Sequence, residues 1–409
     1  MKIKLTAAII LFSAFILPAQ TYLKRGEDKK DGKRELLFFS KDSQIASKVF
    51  DENFYLIKEK GIVPDGKYSI AGDDGKVSQE YEFKGNKLDG SVKLYYPDGI
   101  VYCDLGFKAG KREGLSRFYN EKGYLKASES YCSGEKCGKW ILYYDNGKIK
   151  SEISFLGEKK DGEAKYYFEN GRLSKIENYK KGEKDGVFKE YDEKGAILSE
   201  ISYKDGKYNG QVSYYKDGVL IKKENYKNGD PDGEWLICDS SGVPVESYTY
   251  KSGKINGVYK SFYPNGKLKR EENLISSIKD GPAKSYYDNG NLKEEENYSS
   301  GKLNGIKKEY YEDSILKNEM TYKDGLLTGI VKRYYPSGKL MSEENYSNGI
   351  RDWVTKIYYE TGEDLKYLDT YSFGEKINRK AYSPEGKIIF DQDYPLTVKR
   401  EKNNLFYMF

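Results

Sequence analysis

The sequence predicts an all-β fold, an elongated repeat array of antiparallel β-hairpins laid out as a single-layer meander. Three observations predict it: a 24-residue period, a turn ending in Asn-Gly or Asp-Gly in most periods, and β-prone runs on both sides of that turn. Glycines open the units at Gly66, Gly90, Gly114, Gly138, Gly162, Gly186, Gly210, Gly233, Gly257, Gly281, Gly305 and Gly329, every 24 residues except for one interval of 23 after Gly210. A fixed period of this length denotes stacked supersecondary units rather than one globular core. From Trp353, which replaces the expected Gly, the pattern loosens. The chain of 409 residues therefore divides into a signal peptide (1–20), an N-terminal cap region (21–65), the array (66–394) and a C-terminal cap or tail (395–409).

Each element has a local reason. In Ile141 to Phe155, two β-prone runs surround a turn that ends at Gly147. Pro97, Pro264, Pro336 and Pro384 stand two residues before their turn glycines. Proline suits the second position of a type I turn, whereas a two-residue primed turn needs a positive φ there that proline cannot adopt. The expected loop is thus the three-residue kind with a left-handed Gly. In such a hairpin the residue four before the Gly pairs with the residue two after it, giving Tyr95/Val101, Tyr143/Ile149, Tyr214/Leu220, Tyr286/Leu292 and Tyr334/Leu340. Continuing by twos brings Phe107, Tyr131, Phe155 and Tyr179 onto the same face. The residue three before the Gly forms a second row on the other, charged face: Tyr96, Tyr144, Tyr215, Tyr263, Tyr287, Tyr311, Tyr335 and Tyr359. These eight tyrosines are the candidate binding residues, because tyrosine combines contact area with a polar tip.

Composition narrows the function classes. The 70 Lys+Arg and 65 Asp+Glu interleave within each repeat, for a net charge of +5, so no basic stripe for nucleic acid is present. There is no His, which removes histidine-based triads and most zinc or iron sites. Adjacent carboxylates such as Glu295 and Glu296 point to opposite faces of a strand and cannot act on one substrate. The string Asn228, Asp230, Asp232, Gly233 and Asp239 has calcium-loop spacing, but Pro231 lies inside it and no helices flank it, so it reads as an acidic turn. No enzyme activity, metal or cofactor is expected.

Lys2 and Lys4, the apolar stretch Leu5 to Leu17 and Pro18-Ala19-Gln20 read as an export signal, since the apolar run is shorter than the roughly 20 residues a spanning helix needs. A periplasmic or extracellular chain with no transmembrane segment after cleavage is expected. In that setting Cys132 and Cys137, which flank a short turn, are the candidate disulfide.

The unit Tyr-Tyr-x-Asn-Gly-Lys-Leu-x-x-Glu-x-x-Tyr-x-x-Gly-x-x-x-Gly resembles the bacterial variant of the MORN repeat. Good copies run from Tyr286 to Gly305 and Tyr334 to Gly349; poorer ones are 233–256, with Cys238 and Pro244, and 305–328, with Ser314 at the turn. The resemblance implies a binding or scaffolding protein, in some relatives labelled antitoxin-like. The expected partner is a protein or cell-envelope component. The alternatives are a carbohydrate or cell-wall glycan and, for an antitoxin- or immunity-like chain, a toxin.

Overall fold

The computed structural model describes residues 20–26 and 32–396, so the signal-like segment and most of the C-terminal tail lie outside the described residues. Every described element is a β-strand. The chain divides into two compact units: residues up to 185 together with 193–195, and 186–192 together with 196 onward.

The first unit begins with a four-stranded antiparallel sheet, β1 (Thr21–Arg25), β2 (Arg34–Ser40), β3 (Ser43–Phe50) and β4 (Leu56–Gly61), in that spatial order. This segment corresponds to the expected cap region. The repeats follow from β5 (Gly66–Ala71). Leu23, Leu36, Phe38, Ala46, Phe50 and Phe54 of the cap form one buried cluster with Tyr68, Tyr81, Phe83, Leu88, Val92, Leu105 and Phe107 of the first repeats. The cap thus covers a face of the first repeats, and the alternating burial in β2, where Leu36 and Phe38 are buried and Leu37 and Phe39 less so, is what a strand with one covered side shows.

Within a repeat the hairpin is as its turn chemistry dictates. In the hairpin of Glu135–Tyr143 with Ile149–Leu156, Gly147 N–H donates to the Tyr144 carbonyl at 3.0 Å and Tyr144 N–H donates to the Lys148 carbonyl at 2.8 Å. Tyr143 pairs with Ile149, as the three-residue loop demands. One step further, Leu142 pairs with Ser151, so a bulge places an extra residue, Lys150, on the second strand.

That bulge corrects the face assignment. Tyr143 and Leu142 are neighbours and point to opposite faces; Phe155 pairs with Gly138 and lies on the face of Trp140 and Leu142, not of Tyr143. The same shift recurs in the second unit, where Tyr286 pairs with Leu292 but Ser285 with Glu294. Two faces result. An aromatic face carries Phe107, Tyr131 and Phe155 and their equivalents. A charged face carries the tyrosine before the turn beside Lys and Glu.

The repeat after Gly210 brings a second correction. Here Lys216 pairs with Val219 around Asp217 (φ 51°) and Gly218 (φ 80°), a two-residue loop, and Leu220 pairs with Tyr215 rather than Tyr214. The one-residue deficit that makes the 23-residue interval is therefore absorbed in the turn. Tyr215 occupies the position of Tyr143, and Lys216 stands where Tyr144 stands.

In the second unit the strands between Gly186 and Asp393 pair antiparallel with their neighbours along the chain, and substantial contacts among its described residues run only between ladder neighbours. Trp353 opens its repeat with φ 63°, a left-handed conformation that the corresponding Gly329 (φ 72°) and Gly305 (φ 107°) reach without a Cβ.

Candidate functional site

The predicted tyrosine row lies at the hairpin tips, and its hydroxyls are engaged. In the first unit Tyr96 donates to the Tyr119 carbonyl at 2.9 Å and Tyr144 to the Tyr167 carbonyl at 2.7 Å. In the second, Tyr263, Tyr287, Tyr311, Tyr335 and Tyr359 donate to the carbonyls of Tyr286, Tyr310, Tyr334, Tyr358 and Tyr382 at 2.8–3.0 Å. Lysines lie over several of these rings, as Lys150 over Tyr144 and Lys293 over Tyr287. Each such tyrosine joins its turn to the next one. Tyr215, displaced by the short turn, is outside the row.

The opposite edge is stitched by residues that the sequence reading passed over. An acidic or amide residue just before most of the unit-opening glycines accepts a backbone N–H about one repeat on: Asp89 from Ala109 at 3.0 Å, Asp161 from Lys181 at 2.8 Å and Asp280 from Ser300 at 3.0 Å. The recurrent Asp-Gly and Asn-Gly at the unit starts was their sequence signal. Cys132 and Cys137, on either side of one such turn, are joined by a disulfide.

Between the edges, the charged face of the second unit carries one continuous row. Lys260, Glu271, Lys284, Glu295, Lys308, Glu319, Lys332, Glu343 and Lys356 are each cross-strand partners of the next. Ion pairs close at 3.1 Å for Lys284–Glu295 and 3.8 Å for Lys308–Glu319. Tyr286, Tyr310 and Tyr358 donate to Glu271, Glu295 and Glu343 at 3.2–3.3 Å. Burial, reinforced by these carboxylates, raises the pKa of all three phenols, so they remain donors throughout the neutral range.

The aromatic face holds a different chemistry. In the second unit Glu296 takes Tyr298 at 3.1 Å, Lys307 at 3.0 Å and Arg270 at 3.1 Å. Glu344 takes Arg333 at 3.0 Å, Tyr346 at 3.1 Å and Arg351. Burial pushes these two carboxyls up, but the cations and phenols outweigh it and hold both below the ordinary range. Cations also sit over the rings, as Arg351 over Tyr346 and Tyr371 and Lys279 over Tyr298. Nearer the start of that unit Tyr226, Trp235 and Tyr250 follow at centroid separations of 5.6 and 4.8 Å, with Lys222 over the Trp235 ring and Glu224 accepting from Tyr226 at 3.2 Å.

Among the described residues no group of three or more Cys, Asp and Glu side chains is placed to hold a metal ion. The calcium-like string is spread over separate tasks: Asp239 binds the N–H groups of Ser241 and Val243 within its own turn, while Asp232 accepts from Ser252. What the arrangement offers is repeated surface, the same groups presented once per hairpin.

Among curated proteins, none matches the chain. The model of the MORN repeat variant matches it eight times, at residues 136–156, 160–181, 184–205, 209–228, 255–275, 279–300, 303–324 and 327–348. The matched copies follow the hairpin period, and residues 229–254 lie within the span but outside every copy. Across 136–348 the chain belongs to the MORN repeat variant family.

Proposed function

We propose that this chain is a non-catalytic, exported repeat scaffold that binds a protein or cell-envelope component through the charged face of its sheet. The observation that carries the reading is the unbroken Lys/Glu row from Lys260 to Lys356 with its tyrosines, which presents one set of groups at every hairpin. A surface of that kind suits a long or repetitive partner, to which many modest contacts add. The hairpin-tip tyrosines contribute ring surface only, since their hydroxyls are spent on the next turn.

Affinity purification from native envelope, with mass spectrometry, tests this. The wild-type chain retains a specific component that a Lys284→Glu, Lys308→Glu, Lys332→Glu variant of unchanged melting temperature loses. Equal retention by both removes the charged face from the account, and no retained component removes the scaffold reading. The same samples separate the rival partners: retention on isolated wall glycan favours a carbohydrate module, and a co-purifying toxin favours an immunity role.

A further inference from the structure

The last strand of the second unit has an open side. Strands Glu375–Tyr382 and Ile388–Asp393 repeat the pairing of Leu326–Tyr334 with Leu340–Ser347: Tyr382 stands opposite Ile388 and Lys380 opposite Asp391, as Tyr334 stands opposite Leu340 and Lys332 opposite Glu343. Leu340–Ser347 is also paired on its other side, where Ser342 meets Ile357 and Glu343 meets Lys356 of Trp353–Tyr358. Among the described residues, Ile388–Asp393 pairs with Glu375–Tyr382 alone. The difference shows in exposure. Ser342 is buried, whereas Phe390 at the same position is 43% exposed, and Ile388 and Ile389 are more exposed still. An apolar edge strand with neither Lys nor Pro is a template for pairing with another chain, and natural sheets keep such edges covered.

The sequence beyond this strand keeps the register of the array. The aromatic residue that ends the first strand of each hairpin recurs every 24 residues at Tyr286, Tyr310, Tyr334, Tyr358 and Tyr382. The next step falls on Phe406, which Tyr407 follows as Tyr335 follows Tyr334. Tyr394 likewise lies two periods after Tyr346. Carried forward by the same two periods, the Ser342/Ile357 and Glu343/Lys356 pairs become Phe390/Leu405 and Asp391/Asn404. An apolar side chain thus falls opposite the exposed ring, and an amide falls opposite the carboxylate. The link 395–400 departs from the turn pattern, since Thr397 stands where Gly349 adopts φ 84°, so the correspondence begins at Glu401.

We propose that residues 401–406 of this chain pair antiparallel with Ile388–Asp393, so that the array covers its own last edge with one more strand in register. Residues 401–406 lie outside the described residues, and it is the period together with the open side that assigns their place. Backbone groups and apolar side chains otherwise open to strand addition by another chain are then satisfied within the molecule. This inference stands apart from the binding reading above.

Two cysteine pairs in the full-length protein test the register. Asp391→Cys with Asn404→Cys sets the two thiols opposite each other, whereas Asp391→Cys with Asn403→Cys sets them on opposite faces. Under mild oxidation, peptide mapping is expected to find the 391–404 disulfide forming at least about tenfold faster than the 391–403 one, because pairing raises the effective concentration of the first pair alone. Far-UV circular dichroism confirms that both variants are folded. Equal rates overturn the proposal, and so does a disulfide between two chains, by making a second copy the occupant. A variant ending at Leu396 gives a measurement free of new thiols: exchange protection of Ile388–Asp393 is expected to fall about tenfold or more relative to the full chain. Unchanged protection also overturns the proposal. Neither result touches the envelope purification, so the two readings fail separately.

Discussion

The first repeats and the later ones use the same backbone positions in opposite ways. Beneath the cap, the eighteenth residue of each unit is Phe83 or Phe107 and the sixteenth is Tyr81 or Leu105, all buried against Phe38, Phe54 and their neighbours. In the second unit the corresponding pairs are Tyr298 with Glu296 and Tyr346 with Glu344, ringed by Arg and Lys. A single-layer sheet must either cover an apolar face or equip it with groups that water tolerates. This chain does the first where it has a cap to spend and the second where it has none. The lesson is that the repeat fixes geometry, while the residues at a few inward positions decide whether a second layer is required.

Breaking the capped side gives the largest effect. Phe38→Ala leaves a cavity among Tyr68 and Phe83 and is expected to cost the first unit about 3–5 kcal/mol, measured by denaturant unfolding, with the second unit's exchange protection unchanged. On the open side, Glu344→Leu removes the shared acceptor of Arg333, Arg351 and Tyr346 and is expected to cost about 2–3 kcal/mol in the second unit.

Acid sharpens the contrast without mutation. Glu272, Glu296, Glu309, Glu344 and Asp369 are all held below their ordinary values, because paired cations and hydrogen bonds outweigh burial. A carboxyl depressed in the folded state contributes stability that is complete above its unfolded pKa, about 4. That contribution is lost as pH falls through the lower folded value. Below about pH 4 the second unit should therefore weaken, while the capped apolar cluster holds.

Smaller effects test the edges. Tyr287→Phe deletes the bond to the Tyr310 carbonyl and should cost about 1 kcal/mol, whereas Tyr215→Phe, outside the row, should cost less; thermal melts of the two compare them. Trp353→Gly relieves the left-handed backbone at an exposed side chain and should raise stability by about 0.5–1 kcal/mol in the same assay.

Much of the fold was legible because its signals are local. Proline two before the turn glycine determined the loop, and the loop determined the Tyr143/Ile149 pairing. The faces were not legible by the same counting, because the bulge at Lys150 adds a residue on one strand and breaks alternation at that point. Tyr215 was misplaced for a related reason: counting back from Gly218 assumes a three-residue loop, and only the short interval to Gly233 hinted at the missing residue. For the candidate surface, the tyrosine row was found, but the use of its hydroxyls was not. The acceptor is a backbone carbonyl one repeat away, which no residue type advertises.

Hydrogen exchange resolved along the chain, corrected for intrinsic rates and compared between pH 7 and pH 3, tests the central claim most directly. The account predicts that protection in Leu268–Ile275, Leu292–Ser299 and Leu340–Ser347 falls at least about tenfold while Val77–Lys84 and Val101–Lys108 keep theirs. Equal loss in both sets, or greater loss beneath the cap, would contradict it.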